Sequence, residues 1–355
     1  MYPHAKCHIY RPTVHRFVLA FWAIFASACA IAAEPVASTL DKIRALDGRA
    51  KGSLGVYVKN LKTGEEIDYH AGKKWYLASL VKVPLAIAVL QAVENQQFKL
   101  NDELELQKSD YVDGSGDMLF ADPGSRHSIG ELVQKSVEDS DSTATDMLMR
   151  KIGVDTFNKH IQQNMRVDAL GPFTTILQVR YDAFAELHPD AKKLSNSDYV
   201  EIRSADAYPA RVTMFRQKLN LKPSQLKAPT LEEAFAHYYR RDLNTGTLTA
   251  VGLLLERLAT GKLLNQEHTH LLLDHMENVS TGDKRLKGGL PAGTAFAQKT
   301  GTQIDRACNM GITNPRDPSK SVVIVVCAAG FGELEHAEKS FSAIASILVE
   351  DGRAP

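Results

Sequence analysis

Residues Tyr76–Leu85 read YLASLVKVPL, and the fold turns on whether Ser79 and Lys82 are an ordinary polar pair or a nucleophile with its base. Two common residues at a fixed offset should meet about once by chance in a chain of this length, and Ser224 with Lys227 in PSQLK repeats the spacing. Context separates the two. Val81–Val93 is apolar on most faces and free of glycine, which predicts a buried helix with Ser79 at its first turn. Pro84 fits there, where helix amides still lack intrahelical partners. An i, i+3 offset on a helix sets Lys82 on the same face as Ser79. A serine hydroxyl is a weak nucleophile until a base takes its proton, and a lysine shielded from water beside other cations can be that base.

Two further short runs follow. The helical pattern of SIGELVQKSVEDSDSTATDMLMRKIG breaks at Glu138–Ser142, so Ser140-Asp141-Ser142 opens a second helix. Lys299-Thr300-Gly301 ends a strand-like AFAQKTGT preceded by GGLPAG, whereas Lys62-Thr63-Gly64 reads as the turn of a first hairpin. Ser79-Leu80-Val81-Lys82, Ser140-Asp141-Ser142 and Lys299-Thr300-Gly301, in that order, resemble the signature set of the penicillin-recognising serine enzymes. LGVYVKNLKTGEEIDYHAG, SDSTATDMLM and NVSTGDKRLKGGLPAGTAFAQKTGT are also similar to class A β-lactamase segments in the family's order.

The resemblance implies an α+β, β-lactamase/transpeptidase-like fold: an antiparallel five-stranded sheet with flanking helices and an all-helical lobe. The patterning agrees. Leu54–Val58 and Glu66–His70 read as strands, as do RACNMGIT and SVVIVVCAAG near the other end. Leu248–Leu258, Gln266–Met276 and about 337–349 read as helices. The sheet part is expected at about 40–80 and 280–355 and the helical part at about 81–279. A charged, aromatic, proline-containing insert is expected at about 186–241, enlarging the border of the site. Catalysis is expected where sheet and helices meet.

By motif position, the resemblance makes Ser79 the acylated nucleophile, Lys82 its base and Ser140 the proton relay to a leaving lactam nitrogen. The amides of Ser79 and Thr302 would form the oxyanion hole. Ser142, Lys299, Thr300, Gly301 and Thr302 would bind substrate, with Arg285 assisting at its carboxylate and Arg306 the second choice for that task. Two departures stand out. Ser142 replaces the usual Asn, and no Glu-x-x-Leu-Asn occurs in the chain. Arg180-Tyr181-Asp182 resembles the corresponding loop and puts Asp182 at the deacylating position, with Glu186 as the other candidate. Asp242 is expected to close the loop by pairing with Arg180.

The functional expectation is a serine β-lactamase hydrolysing β-lactam antibiotics through a Ser79 acyl-enzyme, with no cofactor. The alternatives are a D,D-peptidase or penicillin-binding protein in contact with peptidoglycan, and a non-catalytic secreted binding protein on the same fold. His268, His270 and His275 sit in an amphipathic helical pattern in which His270 and His275 do not share a face, so no metal site is expected from them.

Composition sets the remaining bounds. With 355 residues, 44% hydrophobic and 24% charged, the chain suits one large or two modest globular domains. Lys6, Arg11 and Arg16 precede FVLAFWAIFASACAIA, so 1–33 reads as a signal peptide, with a lipoprotein alternative at Cys29. The expected location is periplasmic or secreted, without a membrane contact after cleavage. Basic and acidic residues balance at 42 each, and no long basic run argues for nucleic acid. Cys308 and Cys327 fall on two segments about the turn-rich NPRDPSK; buried thiols are the first reading and a disulfide the alternative.

Overall fold

The computed structural model describes residues 36–355; the expected leader at 1–33, with Cys29, lies outside the described residues. Helix α1 covers 36–47. A hairpin follows, β1 (Ser53–Asn60) and β2 (Glu66–Tyr69), turning at Lys62-Thr63-Gly64 as its polar and glycine residues require. Two small antiparallel pairs brace the connections: β3 (Lys74–Tyr76) with β6 (Thr245–Thr247), and β4 (Glu103–Glu105) with β5 (Arg126–Ser128). The far end of the chain supplies β7 (Phe296–Gln303), β8 (Arg306–Thr313) and β9 (Val322–Ala329).

The main sheet is antiparallel in the order β2-β1-β9-β8-β7, so strands from the two ends of the chain share one sheet and the fold is α+β. Its sequence explains why β9 is central. VVIVVCAA has no polar side chain to give to solvent, and as a middle strand covered by helices on both faces it is buried at all but its last residue. The final helix α13 (Leu334–Glu350) and α1 cover one face, where Ile43, Phe341, Ile344 and Leu348 pack on Val56, Ile324 and Val326. The short α12 (Leu286–Gly289) lies against α13.

The other face carries the helical lobe. At its centre is α2 (Lys82–Glu94), which buries all but its last residues and has no polar stripe. Around it pack α3 (Ile129–Glu138), α4 (Ser142–Ile152), α5 (Val154–Gln163), α10 (Leu248–Ala259) and α11 (Gln266–Glu277). Gly252 of α10 lets the helix lie directly on the sheet: a Cβ there would fall 2.1 Å from the ring of buried Tyr57.

The insert is helical and starts earlier than its charge pattern indicated. It comprises α6 (Ile176–Ala185), α7 (Asn196–Ser204), α8 (Tyr208–Leu219) and α9 (Leu231–Tyr239). Phe184, Tyr199, Phe215, Leu231, Phe235 and Tyr238 give it an apolar core of its own, which docks on Tyr76 and Ile304.

The reading of Cys308 and Cys327 as free thiols is corrected, because they form a disulfide. The β8–β9 register sets them directly opposite with Cα atoms 4.1 Å apart, the close spacing of a pair that does not exchange backbone hydrogen bonds. Cys308 therefore turns its N–H and C=O towards β7. By alternation, Gly301 faces back to β8 while the amides of Thr300 and Thr302 point out over the free edge of β7.

Gly252→Ala tests the packing of α10. Helix propensity favours alanine by about 1 kcal/mol, but an added methyl against a fixed ring costs about 1–3 kcal/mol. The expected net result in urea unfolding is a loss of stability, and a gain would contradict the close contact with Tyr57.

Candidate active site

Ser79 lies in a 3₁₀-helical turn, Ala78–Val81, and Lys82 is the first residue of α2. Three residues per turn eclipse positions i and i+3, so the turn stacks Lys82 under Ser79 more strictly than an α-helix would. The ammonium nitrogen of Lys82, a residue 0% exposed, donates to the backbone carbonyl of Ser140 and, over 3.1 Å, to its hydroxyl. Burial lowers its pKa to about 7, against the pull of Asp141 and Asp146. Its place at a helix N-terminus acts in the same direction, since the helix dipole there disfavours a cation.

Local chemistry of Ser140-Asp141-Ser142 builds the receiving carbonyl. Asp141 is the N-cap of α4, accepting from the amide of Ala144 at 2.8 Å and also from Met118 at 2.9 Å. The chain enters this cap through Ser140 in a left-handed conformation, φ 55°. That conformation aims the Ser140 carbonyl at Lys82, and the hydroxyl of Ser115 also donates to it, at 2.5 Å. Gly116 must be glycine: at φ 91°, a Cβ would lie 2.0 Å from the Asp141 carboxylate.

The third segment is the edge strand β7. Lys299 is also 0% exposed, and its pKa falls well below that of an ordinary lysine, first through burial and then through Lys82 and Arg285. Gly301 is pressed against the 3₁₀ turn, where a Cβ would lie 2.5 Å from the Leu77 carbonyl and 3.1 Å from the Ser79 amide nitrogen. The Ser79 amide and the outward amide of Thr302 thus border the same space. Thr300 shares a 2.6 Å hydroxyl contact with Thr281.

Arg285 is buried, 4% exposed, behind this strand. It donates to the carbonyls of Gly301 and Cys308, to the Thr302 hydroxyl at 2.6 Å and to Glu338. A guanidinium only donates, so the Thr302 hydroxyl must accept from it and keeps its own proton for a ligand acceptor. Arg306 is tied to Asp305 and lies 4.4 Å over the ring of Tyr239.

Ser79, Ser140, Thr300, Thr302 and Arg285 open on one cavity of about 1390 Å³. A smaller one of about 100 Å³ lies beside Ser79, lined by Ser142, Thr174, Ile176, Val179, Arg180 and Asn244 among others. A half-buried serine over a buried lysine, a second serine, two outward amides and hydroxyl donors for an anion make up equipment for acyl transfer to serine.

The model of the β-lactamase enzyme family matches residues 38–351. The chain belongs to the β-lactamase enzyme family. A β-lactamase of Mycobacterium tuberculosis is 26% identical over 283 residues, 76% of this chain and 73% of that protein. In fold, the TLA-1 extended-spectrum β-lactamase superposes with a TM-score of 0.67 at 21% identity, covering 90% of this chain and 99% of its own. PBP-A superposes with a TM-score of 0.66 at 16% identity, covering 88% and 95%.

The two carboxylates expected to serve deacylation, Asp182 and Glu186, line neither cavity. The segment around Asp182 was read as a loop but is helix α6, where residues two apart point about 200° apart. Arg180 faces the cavity and pairs with Asp113, so Asp182 turns away and accepts from Gln178 at 3.0 Å and Arg241 at 3.1 Å. Glu186, the C-cap of α6, lies 3.8 Å from His237. The expected pairing of Asp242 with Arg180 is also corrected: Asp242 meets Lys74. His268 and His275 bind Glu94 and Glu138 respectively, on α2 and α3, and His270 is exposed.

Sequence reading missed Asp146. Buried in α4, it accepts from the amides of Ile176 and Leu177, each at 2.8 Å, and so holds the start of α6 against the site. Burial raises its pKa to about 6, partly offset by those two amides. The signal was an acid set directly before the apolar Met147-Leu148-Met149.

Above pH 6 Asp146 is ionised and favours the ammonium form of Lys82, so Asp146→Asn should move the Lys82 titration to lower pH, as read by NMR of its ε-methylene. An unchanged or higher midpoint would contradict the coupling. Asp182→Asn should leave turnover of a chromogenic penicillin close to that of the parent, because the carboxylate lines neither cavity; accumulation of acyl-enzyme in that variant would return Asp182 to the mechanism.

Proposed function

We propose that this enzyme hydrolyses β-lactams through an acyl-enzyme on Ser79, and that release of the acyl group is its slow step. The observation that carries the reading is the buried Lys82, with a pKa near 7 and hydrogen bonds to Ser140, one 3₁₀ turn from Ser79. In its neutral form Lys82 takes the Ser79 proton as the hydroxyl oxygen attacks the lactam carbonyl. The amides of Ser79 and Thr302 stabilise the oxyanion. Ser140, linked to Lys82, passes a proton to the leaving nitrogen, while Thr300 and Thr302 hold the ring carboxylate, with Lys299 buried behind them.

Deacylation differs from the usual scheme of the class. The small cavity beside Ser79 has room for about three waters at roughly 30 Å³ each, lined by Ser142, Thr174 and Asn244 without a carboxylate. The amine of Lys82 is then the base for water as well as for serine. One weakly basic amine serving both steps makes the ester outlast its formation.

The missing carboxylate, with the likeness in fold to PBP-A, favours a second reading, a D,D-peptidase whose natural substrate is a peptide ending in D-alanyl-D-alanine. Intact-protein mass spectrometry during turnover of a chromogenic penicillin separates the two. The lactamase reading expects an adduct on most molecules, continued product formation, and loss of both in Ser79→Ala. A persistent adduct without product, together with release of D-alanine from a peptide, would replace it by the peptidase. Because the neutral amine is the reactive form, acylation should rise with pH through about 7; a flat profile would exclude Lys82 as the base.

A further inference from the structure

The cavity of about 1390 Å³ exceeds the 300–1,000 Å³ usual for a small-molecule site, and one wing of it is lined by the insert. Phe184, Tyr199, Ile202 and Phe235 give this wing an apolar wall, and Arg203 and Arg211 stand on it. Their electrostatic surroundings are unusual. The lining carboxylates Asp113, Asp283, Asp305 and Glu338 each face a cation, Arg180, Lys287, Arg306 and Arg285 respectively. Glu232 and Glu333 stand exposed on the rim. Arg203 and Arg211 take part in none of the described ion pairs.

Arg211 is half-buried and lies 5.2 Å from the ring centre of Tyr208. Its Nε donates to the Ala205 carbonyl at 2.8 Å, so its terminal nitrogens have no acceptor among the described hydrogen bonds. Burial first, then Arg203 and, more weakly, Arg180 push its pKa down, and Tyr208 and Asp113 offset only part of that push. Arg211 also occupies the first turn of α8, where the helix field is already positive. The half-buried Arg211 and the exposed Arg203 repel each other on the cavity wall, and an anion bridging them would relieve that repulsion.

We propose that the insert-lined wing is a second anion subsite, in which Arg203 and Arg211 bind a carboxylate on the acyl side of the ligand, remote from the one held at Thr300 and Thr302. The preferred ligands are thus dianionic: a β-lactam with a carboxylated side chain, or a D-alanyl-D-alanine peptide with an acidic residue before that pair. The assignment of the two ends rests on the reading of Ser79 as the acylated residue. β7 carries Thr300 and Thr302 beside Ser79 and then leads into Ile304, whose carbonyl accepts from Tyr239 of the insert at 2.7 Å.

Binding without acylation is the test, using the full chain with Ser79→Ala and three probes of nearly one shape: phenylacetyl penicillin, its α-carboxylated derivative and its α-amino derivative. Calorimetry should give the order carboxylated, parent, amino, with about tenfold or more between the first two, as expected for charge-assisted hydrogen bonds. Adding Arg203→Ala and Arg211→Ala should bring carboxylated and parent probes to equal affinity, and Arg203→Glu with Arg211→Glu should reverse the order. Neither arginine makes a described ion pair, and circular dichroism checks that the fold persists. No preference in the Ser79→Ala protein, no binding at all, or a preference that survives both double variants would overturn the proposal. A peptide pair ending in D-alanyl-D-alanine, with a side-chain carboxylate or its amide before that pair, tells which source is favoured by the larger preference for the acid. Acylation of the unmutated protein is scored separately, so absence of an adduct would remove the Ser79 reading while the binding order still decides the wing.

Discussion

Two lysines, Lys82 and Lys299, are removed from solvent within reach of each other's field, and neither forms a described ion pair. Such burial would neutralise or expel an ordinary lysine. What keeps Lys82 in place is a carbonyl aimed by a left-handed residue, a serine hydroxyl, and two carboxylates, Asp141 and Asp146, that act at a distance. Each is fixed by something outside the site. Asp141 is committed to capping α4, and Asp146 to the first amides of α6. The helical lobe is thus organised around keeping an amine buried and poorly charged.

The sheet contributes through its free edge. Packing of Gly301 on the 3₁₀ turn sets the distance between sheet and lobe, and no side chain could occupy that place. Arg285 secures the strand from behind, bridging carbonyls of β7 and β8 and reaching Glu338 on α13. The disulfide joins β8 to β9 one strand further in. Movement of the Thr302 amide would have to disturb a buried cation, a covalent bridge and the sheet register together.

Much of this was legible in the sequence, because three short runs and the apolar pattern around them carry local constraints. Ser79 and Lys82 stack through spacing alone, the Ser-Asp-Ser run is a helix start, and the continuous apolar run of β9 marks a central strand. Other features depend on partners distant in sequence. Arg285 looked like one of several basic residues in TGDKRLKGG until packing enclosed it. Cys308 and Cys327 bond because of a strand register that no local rule fixes. Asp182 was placed by analogy to a loop; once Ile176–Ala185 is helical, the side that shows Arg180 to the cavity hides Asp182. Asp146 belonged to no motif, yet a lone acid among buried methionines and leucines needed hydrogen-bond donors from somewhere.

The outward amides of β7 carry a further consequence. A strand edge reads main chain: any extended ligand can lie along it and be recognised by groups common to every residue. Such recognition is strong and nearly blind to chemical identity. Telling one ligand from another must then be the task of surfaces set apart from the strand. The helical insert lines the same cavity and has a core of its own, so its lining can change without disturbing the register, the turn or the buried lysines.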